Sequence, residues 1–173
     1  MSRNIEIKAR IDSIEAMLPQ VKAIADQGPV EISQDDTYFV CSTGKLKLRA
    51  FSEREGELIY YRRASRFDPK ESFYVRSSTT SPQALRETLT LAYGQLGRVQ
   101  KHRTLYLAGR TRIHLDRVCG LGEFLELEVV LAEEEPSAAG IQEANELLAR
   151  LGLQPSQLVS GGYLDLMARR QDT

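Results

Sequence analysis

Glu126 and Glu128 lie in a stretch in which aliphatic residues alternate strictly with a second set of residues. Leu125, Leu127 and Val129 form the apolar set, and the two glutamates belong to the other. Such alternation is typical of a β-strand with two opposed faces. Because side chains two residues apart share a face and lie about 7 Å from each other, the two carboxylates could together bind divalent metal ions. The sequence therefore predicts a strand with an acidic, metal-binding face.

Basic residues recur with the same two-residue spacing on other predicted strands. Lys45, Lys47 and Arg49 alternate with apolar residues, and Lys101 and Arg103 are again two residues apart. Each such strand would have one apolar and one charged face. The charged faces together collect the cations Lys8, Arg10, Lys45, Lys47, Arg49, Arg62, Arg76, Lys101, Arg103 and Arg112 and the acids Glu6, Asp116, Glu126 and Glu128.

The charged faces suggest how the predicted strands are arranged. We predict eight strands, mostly joined as hairpins, and three or four helices. The solvated face of an open sheet would mix polar residues and both charge signs at random. Closure of the sheet instead turns the charged face into a lumen that, at eight strands, is about wide enough for one small ligand. We therefore predict an α+β fold, an eight-stranded antiparallel closed β-barrel with flanking helices, as a single domain over residues 1–173.

Cations that face one lumen repel one another unless the lumen binds an anion. A triphosphate fits this need, because Arg offers paired donors to phosphate oxygens and Lys offers a point charge. The carboxylates would repel a phosphate, which is also negatively charged, unless Mg²⁺ or Mn²⁺ lies between carboxylate and phosphate. The alternative is that each basic strand has a solvated face, which is the common case for any single strand. The joint pattern over several strands favours the lumen.

The composition limits other classes of function. With 23 Lys and Arg against 24 Asp and Glu, the net charge of -1 gives no overall basic field for nucleic acid. The sequence has neither a run of about 18 apolar residues nor an apolar signal-peptide core near its start, which predicts a cytoplasmic protein without a membrane partner. Cys41 and Cys119 are too few for a disulfide framework.

Several segments along most of the chain share motifs with one enzyme family. Asn4 to Lys8 is similar to a Glu-x-Glu-x-Lys signature whose first Glu is replaced, and Leu58 to Arg63 is similar to a basic strand. Between Gln100 and Glu128, the Lys-x-Arg, Asp and Glu-x-Glu elements keep the family spacing, and Ser160 to Leu166 is similar to a C-terminal segment. The chain thus resembles the CYTH family, triphosphate tunnel enzymes that include class IV adenylate cyclases, thiamine triphosphatases and inorganic triphosphatases.

The resemblance implies roles for the charged residues. Mg²⁺ or Mn²⁺ would be bound by Glu6, Glu126 and Glu128, with Asp116 assisting. The phosphates would be held by Lys45, Lys47, Arg49, Arg62, Lys101 and Arg103. Arg76 and Arg112 are further substrate-binding candidates that could instead face a neighbouring carboxylate. Lys8, beside the metal site, is a candidate catalytic residue together with Lys101 and Glu126. Parity alone does not choose between Arg62 and Arg63 as the inward residue, and the family pattern favours Arg62.

Two residues leave alternatives open. Asn4 stands where the family pattern has a Glu, and an amide oxygen can ligate Mg²⁺ but brings no charge. One of two metal positions would then be weakened. His114 shares a face with Asp116, so it is either a proton carrier or a hydrogen-bonded wall residue.

Three functions remain open from the sequence. The first is metal-dependent hydrolysis of a triphosphate such as tripolyphosphate, thiamine triphosphate or ATP. The second is that of a class IV adenylate cyclase, which converts ATP to cyclic AMP and pyrophosphate, although no residue pattern identifies an adenine pocket. The third, motivated by Asn4, is a weakly catalytic or non-catalytic protein that binds polyphosphate or nucleotides. The protein would act as a monomer or homodimer.

Overall fold

The structure, a computed structural model, describes residues 2–63 and 70–171. Its strands are β1 (Ser2–Ile11), β2 (Gln27–Phe39), β3 (Lys45–Ala50), β4 (Gly56–Arg63), β5 (Lys70–Thr79), β6 (Gln95–Ala108), β7 (Thr111–Val118), β8 (Gly122–Val130) and β9 (Leu158–Val159). Its α-helices are α1 (Ile14–Ile24), α2 (Pro82–Tyr93), α3 (Ser137–Arg150) and α4 (Tyr163–Gln171), and a 3-10 turn covers Pro155–Gln157. None of the helices in the described part of the chain is long and apolar enough to cross a membrane.

Strands β1 to β8 form one antiparallel sheet that closes on itself. The order is β5-β4-β3-β2-β6-β7-β8-β1, and a further pairing of β5 with β1 completes the ring. Every pairing in the ring is antiparallel, and the short β9 pairs with β1 outside it. The predicted α+β class and the closed eight-stranded arrangement are therefore confirmed.

Apolar side chains on the outer face of the ring pack against helices. Ile5 and Ile7 of β1 share a buried cluster with Ala144 and Leu147 of α3, and α1 packs against the same cluster. Gly140 brings α3 close to the sheet, because a Cβ there would lie 2.7 Å from Ile5 Cγ1. On the other side of the ring, a smaller cluster joins α2 to β2, β3 and β4. Burial of these faces leaves the charged faces to line the interior.

Helix α4 closes one end of the ring. Tyr163 and Leu166 of α4 pack with Val118 and Phe124, which lie at that end of β7 and β8. The rings of Phe124 and Tyr163 meet edge to face, with centroids 5.0 Å apart. These contacts hold Tyr163 against the residues that line the interior.

Candidate metal and phosphate site

The interior of the ring contains a cavity of about 370 Å³. Inward side chains of all eight ring strands and of α4 line it. It brings together most of the sequence-predicted site residues, namely Glu6, Lys8, Lys47, Arg49, Arg76, Lys101, Arg103, Arg112, Glu126 and Glu128. The strict alternation along each strand explains this, because it fixes which residues share a face.

One wall of the cavity is formed by β1, β8 and β7 and carries the carboxylates. In the sheet register Glu126 lies between Lys8 of β1 and His114 of β7. Lys8 Nζ is 3.2 Å from Glu126 Oε2, and His114 Nδ1 is 3.3 Å from Glu126 Oε1. Burial tends to raise the pKa of Glu126, but Lys8, His114 and Arg103 outweigh it and hold that pKa well below its usual range. Glu126 is therefore ionised at neutral pH. We call this surface the acidic wall.

Glu128 is the second carboxylate of the acidic wall. It lies opposite Glu6 of β1 and Arg112 of β7, and Arg112 Nη1 donates to Glu128 Oε2 at 3.2 Å. Burial raises the pKa of Glu128, yet the net shift is downward because His114, Arg103 and Arg112 favour the carboxylate. Arg112 thus faces a neighbouring carboxylate, which is one of the two arrangements that the sequence left open.

The opposite wall, formed by β2, β3 and β6, is built around Asp36. Its carboxylate is fully buried and accepts bonds from Arg49 Nε at 2.8 Å and Lys47 Nζ at 3.0 Å. Lys101 Nζ lies 4.0 Å away. Burial opposes ionisation of Asp36, but Arg49 and Lys47 hold its pKa well below the usual range. We call this surface the basic wall, because one acid there is surrounded by three cations.

Asp36 was not among the residues predicted from the sequence. It follows Asp35 directly, and the acidic pair carries no mark of which member faces the interior. The parity of β2 was the available signal, because Asp36 is two residues from Gln34 and Tyr38, both of which line the cavity.

Arg103 lies between the two walls. Its Nε and Nη2 each donate to Asp116 at 2.7 Å, and Nη2 is 3.6 Å from Glu126 Oε1. The hydroxyl of Tyr163 donates to Asp116 Oδ2 at 2.5 Å. Burial would raise the pKa of Asp116, but Arg103 and Lys101 lower it overall. Both carboxylate oxygens are thus engaged by protein donors, so the expectation that Asp116 assists in metal binding does not fit this geometry, in which it orients Arg103.

Lys101 is a buried cation with few compensating acids. Removal from water lowers its pKa well below the ordinary value, and repulsion by Arg103 and Arg49 adds to the shift, while Asp116 and Asp36 partly oppose it. Its Nζ lies 4.8 Å from the centroid of the Tyr163 ring, and Lys8 Nζ contacts the same ring at 3.7 Å. An anion in the cavity would relieve this shift by favouring the ammonium form.

Two predicted phosphate ligands lie elsewhere. Arg62 is exposed, and its guanidinium lies 5.3 Å from the Phe73 ring centroid. The prediction that Arg62 faces the lumen is wrong. Side chains alternate between the two faces of β4, and because Tyr61 lines the cavity, the neighbouring Arg62 lies on the outer face. Lys45 Nζ lies 3.1 Å from Asp165 of α4, and its side chain is 43% exposed. Lys45 therefore forms an ion pair with helix α4 and does not line the cavity.

The acidic wall fits a divalent metal ion. His114, Glu126 and Glu128 can each offer a ligand atom such that these atoms all lie within 4.8 Å of one another. Asn4, which also lines the cavity, is 2% exposed, and its Oδ1 has no hydrogen-bond partner among residues 2–63 and 70–171. A buried carbonyl oxygen without a partner is costly, and it is a ligand that Mg²⁺ and similar ions accept.

Known proteins are similar to this chain in sequence or in fold. Adenylate cyclase CyaB of Aeromonas hydrophila is 25% identical over 169 residues, which cover 94% of this chain and 87% of the relative. A solved structure from Pyrococcus horikoshii OT3 has a TM-score of 0.83 at 23% identity and covers 94% of this chain and 98% of its own. The HpAC1 protein of Hippeastrum, for which a dominant triphosphatase activity is described, has a TM-score of 0.62 at 15% identity, with coverages of 100% and 97%.

The family model for the CYTH domain matches residues 2–163. This range contains all ring strands and ends at the tyrosine of α4 that contacts Asp116. The chain belongs to the CYTH family.

Proposed function

We propose that this protein is a divalent-metal-dependent enzyme that hydrolyses a phosphoanhydride bond of a triphosphate. The observation that carries the proposal is the pair of opposed walls in one cavity of about 370 Å³. A chain of phosphates between the walls would meet cations on one side and, through a metal ion, carboxylates on the other.

The cations of the interior are positioned before any substrate arrives. Asp36 fixes Lys47 and Arg49, and Asp116 fixes Arg103 through two hydrogen bonds of 2.7 Å. Fixed donors in a site removed from water stabilise charge on a reacting group without reorganising during the reaction. Lys47, Arg49, Lys101 and Arg103 would therefore bind phosphate oxygens and orient the anhydride bond.

The acidic wall would hold the metal ion. Glu126 and Glu128 offer carboxylate oxygens, Glu6 lies opposite Glu128 in the sheet register and lines the same cavity, and Lys8 keeps Glu126 ionised and in place. A bound Mg²⁺ or Mn²⁺ would neutralise charge that develops on the transferred phosphoryl group. Lys8 would thereby hold the metal-binding carboxylate in place and lie near the reacting phosphate.

Conversion of ATP to cyclic AMP is the second candidate function. It is favoured by the similarity to adenylate cyclase CyaB, which extends over 94% of this chain. Both activities would use the same phosphate and metal ligands and differ in the nucleophile, which is water in one case and the ribose 3′-hydroxyl in the other. The same fold occurs in HpAC1, for which a dominant triphosphatase activity is described, so the fold is compatible with hydrolysis.

A product assay separates these functions. Purified protein is incubated with tripolyphosphate, thiamine triphosphate or ATP in Mn²⁺ or Mg²⁺, and the products are separated. Released phosphate supports the hydrolase, whereas cyclic AMP with pyrophosphate supports the cyclase. Tight binding without turnover in either metal would instead indicate a binding protein and contradict the proposal.

Two neighbouring substitutions make the assay specific to the cavity. Lys101→Ala removes a cation from the lumen, while His102→Ala changes the next residue, whose side chain is 44% exposed on the outer face. We expect the first variant to lose turnover and the second to retain it.

A further inference from the structure

We propose that His114 is a direct ligand of the metal ion and that the site consequently prefers Mn²⁺, or a similar first-row transition ion, to Mg²⁺. The inference rests on the metal site of the proposed function but holds for either reaction. Nitrogen from imidazole is a frequent ligand of transition ions, whereas Mg²⁺ is bound almost wholly by oxygen.

The geometry of His114 supports direct ligation. The ligand atoms offered by His114, Glu126 and Glu128 all lie within 4.8 Å of one another. Around an octahedral ion with ligands about 2.1 Å away, cis ligands lie about 3 Å apart and trans ligands about 4.2 Å apart. The 3.3 Å between His114 Nδ1 and Glu126 Oε1 already falls in that range. Small side-chain movements would therefore complete a shared coordination sphere.

A second and independent observation is the buried amide of Asn4. Asn4 lines the same cavity, and its Oδ1 accepts no hydrogen bond from the described part of the chain. In the sheet register Asn4 lies opposite Val130, two residues beyond Glu128, so its oxygen would add to the ligand atoms only at the Glu128 end of the wall. A cation or a water molecule at this oxygen would remove the cost of burying it.

The cations on the acidic wall explain why the type of ligand atom affects which metal ion binds. Glu126 already lies 3.2 Å from Lys8 and 3.6 Å from Arg103, and Glu128 lies 3.2 Å from Arg112. These cations weaken the attraction that a purely electrostatic ion such as Mg²⁺ depends on. An ion that also bonds to imidazole nitrogen retains part of its affinity.

The chain provides a matched control because it has two histidines, His114 and His102. The side chain of His114 is 5% exposed in the cavity, whereas His102 is on the outer face with Nε2 2.6 Å from Glu31 Oε2. A nitrogen signal from bound Mn²⁺ can thus be assigned to one residue by substitution.

Pulsed electron paramagnetic resonance of bound Mn²⁺ tests the proposal. The full chain is measured with Mn²⁺ alone and with a methylene-bridged tripolyphosphate, which contains no nitrogen. We expect modulation from ¹⁴N in the unlabelled protein and from ¹⁵N after selective labelling of histidine. The signal should persist in His102→Gln and vanish in His114→Gln. The wild-type comparison does not depend on how either variant folds.

Metal affinity gives a second readout. By titration calorimetry, His114→Gln should weaken Mn²⁺ binding about tenfold or more and change Mg²⁺ binding by less than about twofold. Mn²⁺ that binds without histidine coupling, or an equal loss of both ions in His114→Gln, would overturn the assignment of His114. Failure of Mn²⁺ to bind under any of these conditions would instead contradict the metal site of the proposed function.

Discussion

The two walls of the cavity use charge in opposite ways. On the basic wall, Asp36 is surrounded by Lys47, Arg49 and Lys101, so positive charge remains in excess. On the acidic wall, the three carboxylates of Glu6, Glu126 and Glu128 outnumber the two cations Lys8 and Arg112, so negative charge remains in excess. The first wall is suited to an anion and the second to a cation.

The buried carboxylates of the interior have two different roles. Asp36 and Asp116 are engaged by donors at 2.5 to 3.0 Å and hold cations in position. Glu126 and Glu128 have longer contacts, between 3.2 and 3.6 Å. Tight pairing thus marks a structural acid, and looser pairing leaves a carboxylate available to a ligand.

Loss of the Asp36 carboxylate from the basic wall should have the largest effect, which is on the stability of the fold. Asp36→Asn leaves buried cations without compensation, and we expect the free energy of unfolding to fall by about 3–5 kcal/mol. Urea denaturation followed by circular dichroism measures the change. The control is Asp35→Asn, the neighbouring residue on the outer face, for which a loss below about 1 kcal/mol is expected. Equal losses in the two variants would contradict the role of Asp36.

Removal of a cation from the same wall should affect function and spare stability. Lys101→Ala relieves the unfavourable burial that lowers the pKa of Lys101, so the free energy of unfolding should stay constant or rise. Turnover of the preferred triphosphate should fall about 100-fold or more, as expected for loss of a fixed charge in an active site. Steady-state kinetics and urea denaturation of one preparation give both numbers. Unchanged turnover would remove Lys101 from the site.

The depressed pKa of Lys101 predicts proton uptake on binding. A polyanion in the cavity would raise the pKa of Lys101. At a pH between the pKa of Lys101 in the free protein and its pKa in the complex, binding of one triphosphate is therefore accompanied by uptake of one proton. Affinity should therefore decrease as pH rises through this window, and below the lower pKa no proton is taken up. Calorimetry in buffers of different ionisation enthalpy measures the proton number. Lys101→Met should abolish the buffer dependence, and a dependence unchanged by this substitution would assign the proton to another group.

Substitution on the outer face should have the smallest effect. Arg62→Ala removes a cation that the sequence favoured as a phosphate ligand but that is exposed beside Phe73. Triphosphate affinity should change by less than about twofold, since exposed charges outside a site contribute little. A tenfold loss would restore the expectation from the sequence.

Much of the fold could be predicted from the sequence, because alternation specifies both the strands and the face that each side chain occupies. Glu126, Lys47 and Lys101 were placed in the interior for this reason, and the apolar alternates of the same strands predicted the outer core. The closure of the sheet followed from the sorting of charge between the faces.

The pairing of charges could not be predicted in the same way. Which acid meets which cation depends on the strand register, and a single sequence does not state that Asp116 lies opposite Arg103. Lys45 shares the face of Lys47, but its contact with Asp165 depends on how α4 packs at the end of the ring. For Arg62 the sequence left two parities possible, and the neighbouring strands decided between them.

The central claim is that a polyphosphate and a metal ion bind together between the two walls. Titration of the methylene-bridged tripolyphosphate with and without Mn²⁺ tests it most directly. Because coupling between two ligands is reciprocal, we expect Mn²⁺ to tighten tripolyphosphate binding about tenfold or more and the anion to tighten Mn²⁺ binding by the same factor. Affinities for each ligand that do not change in the presence of the other would contradict the account.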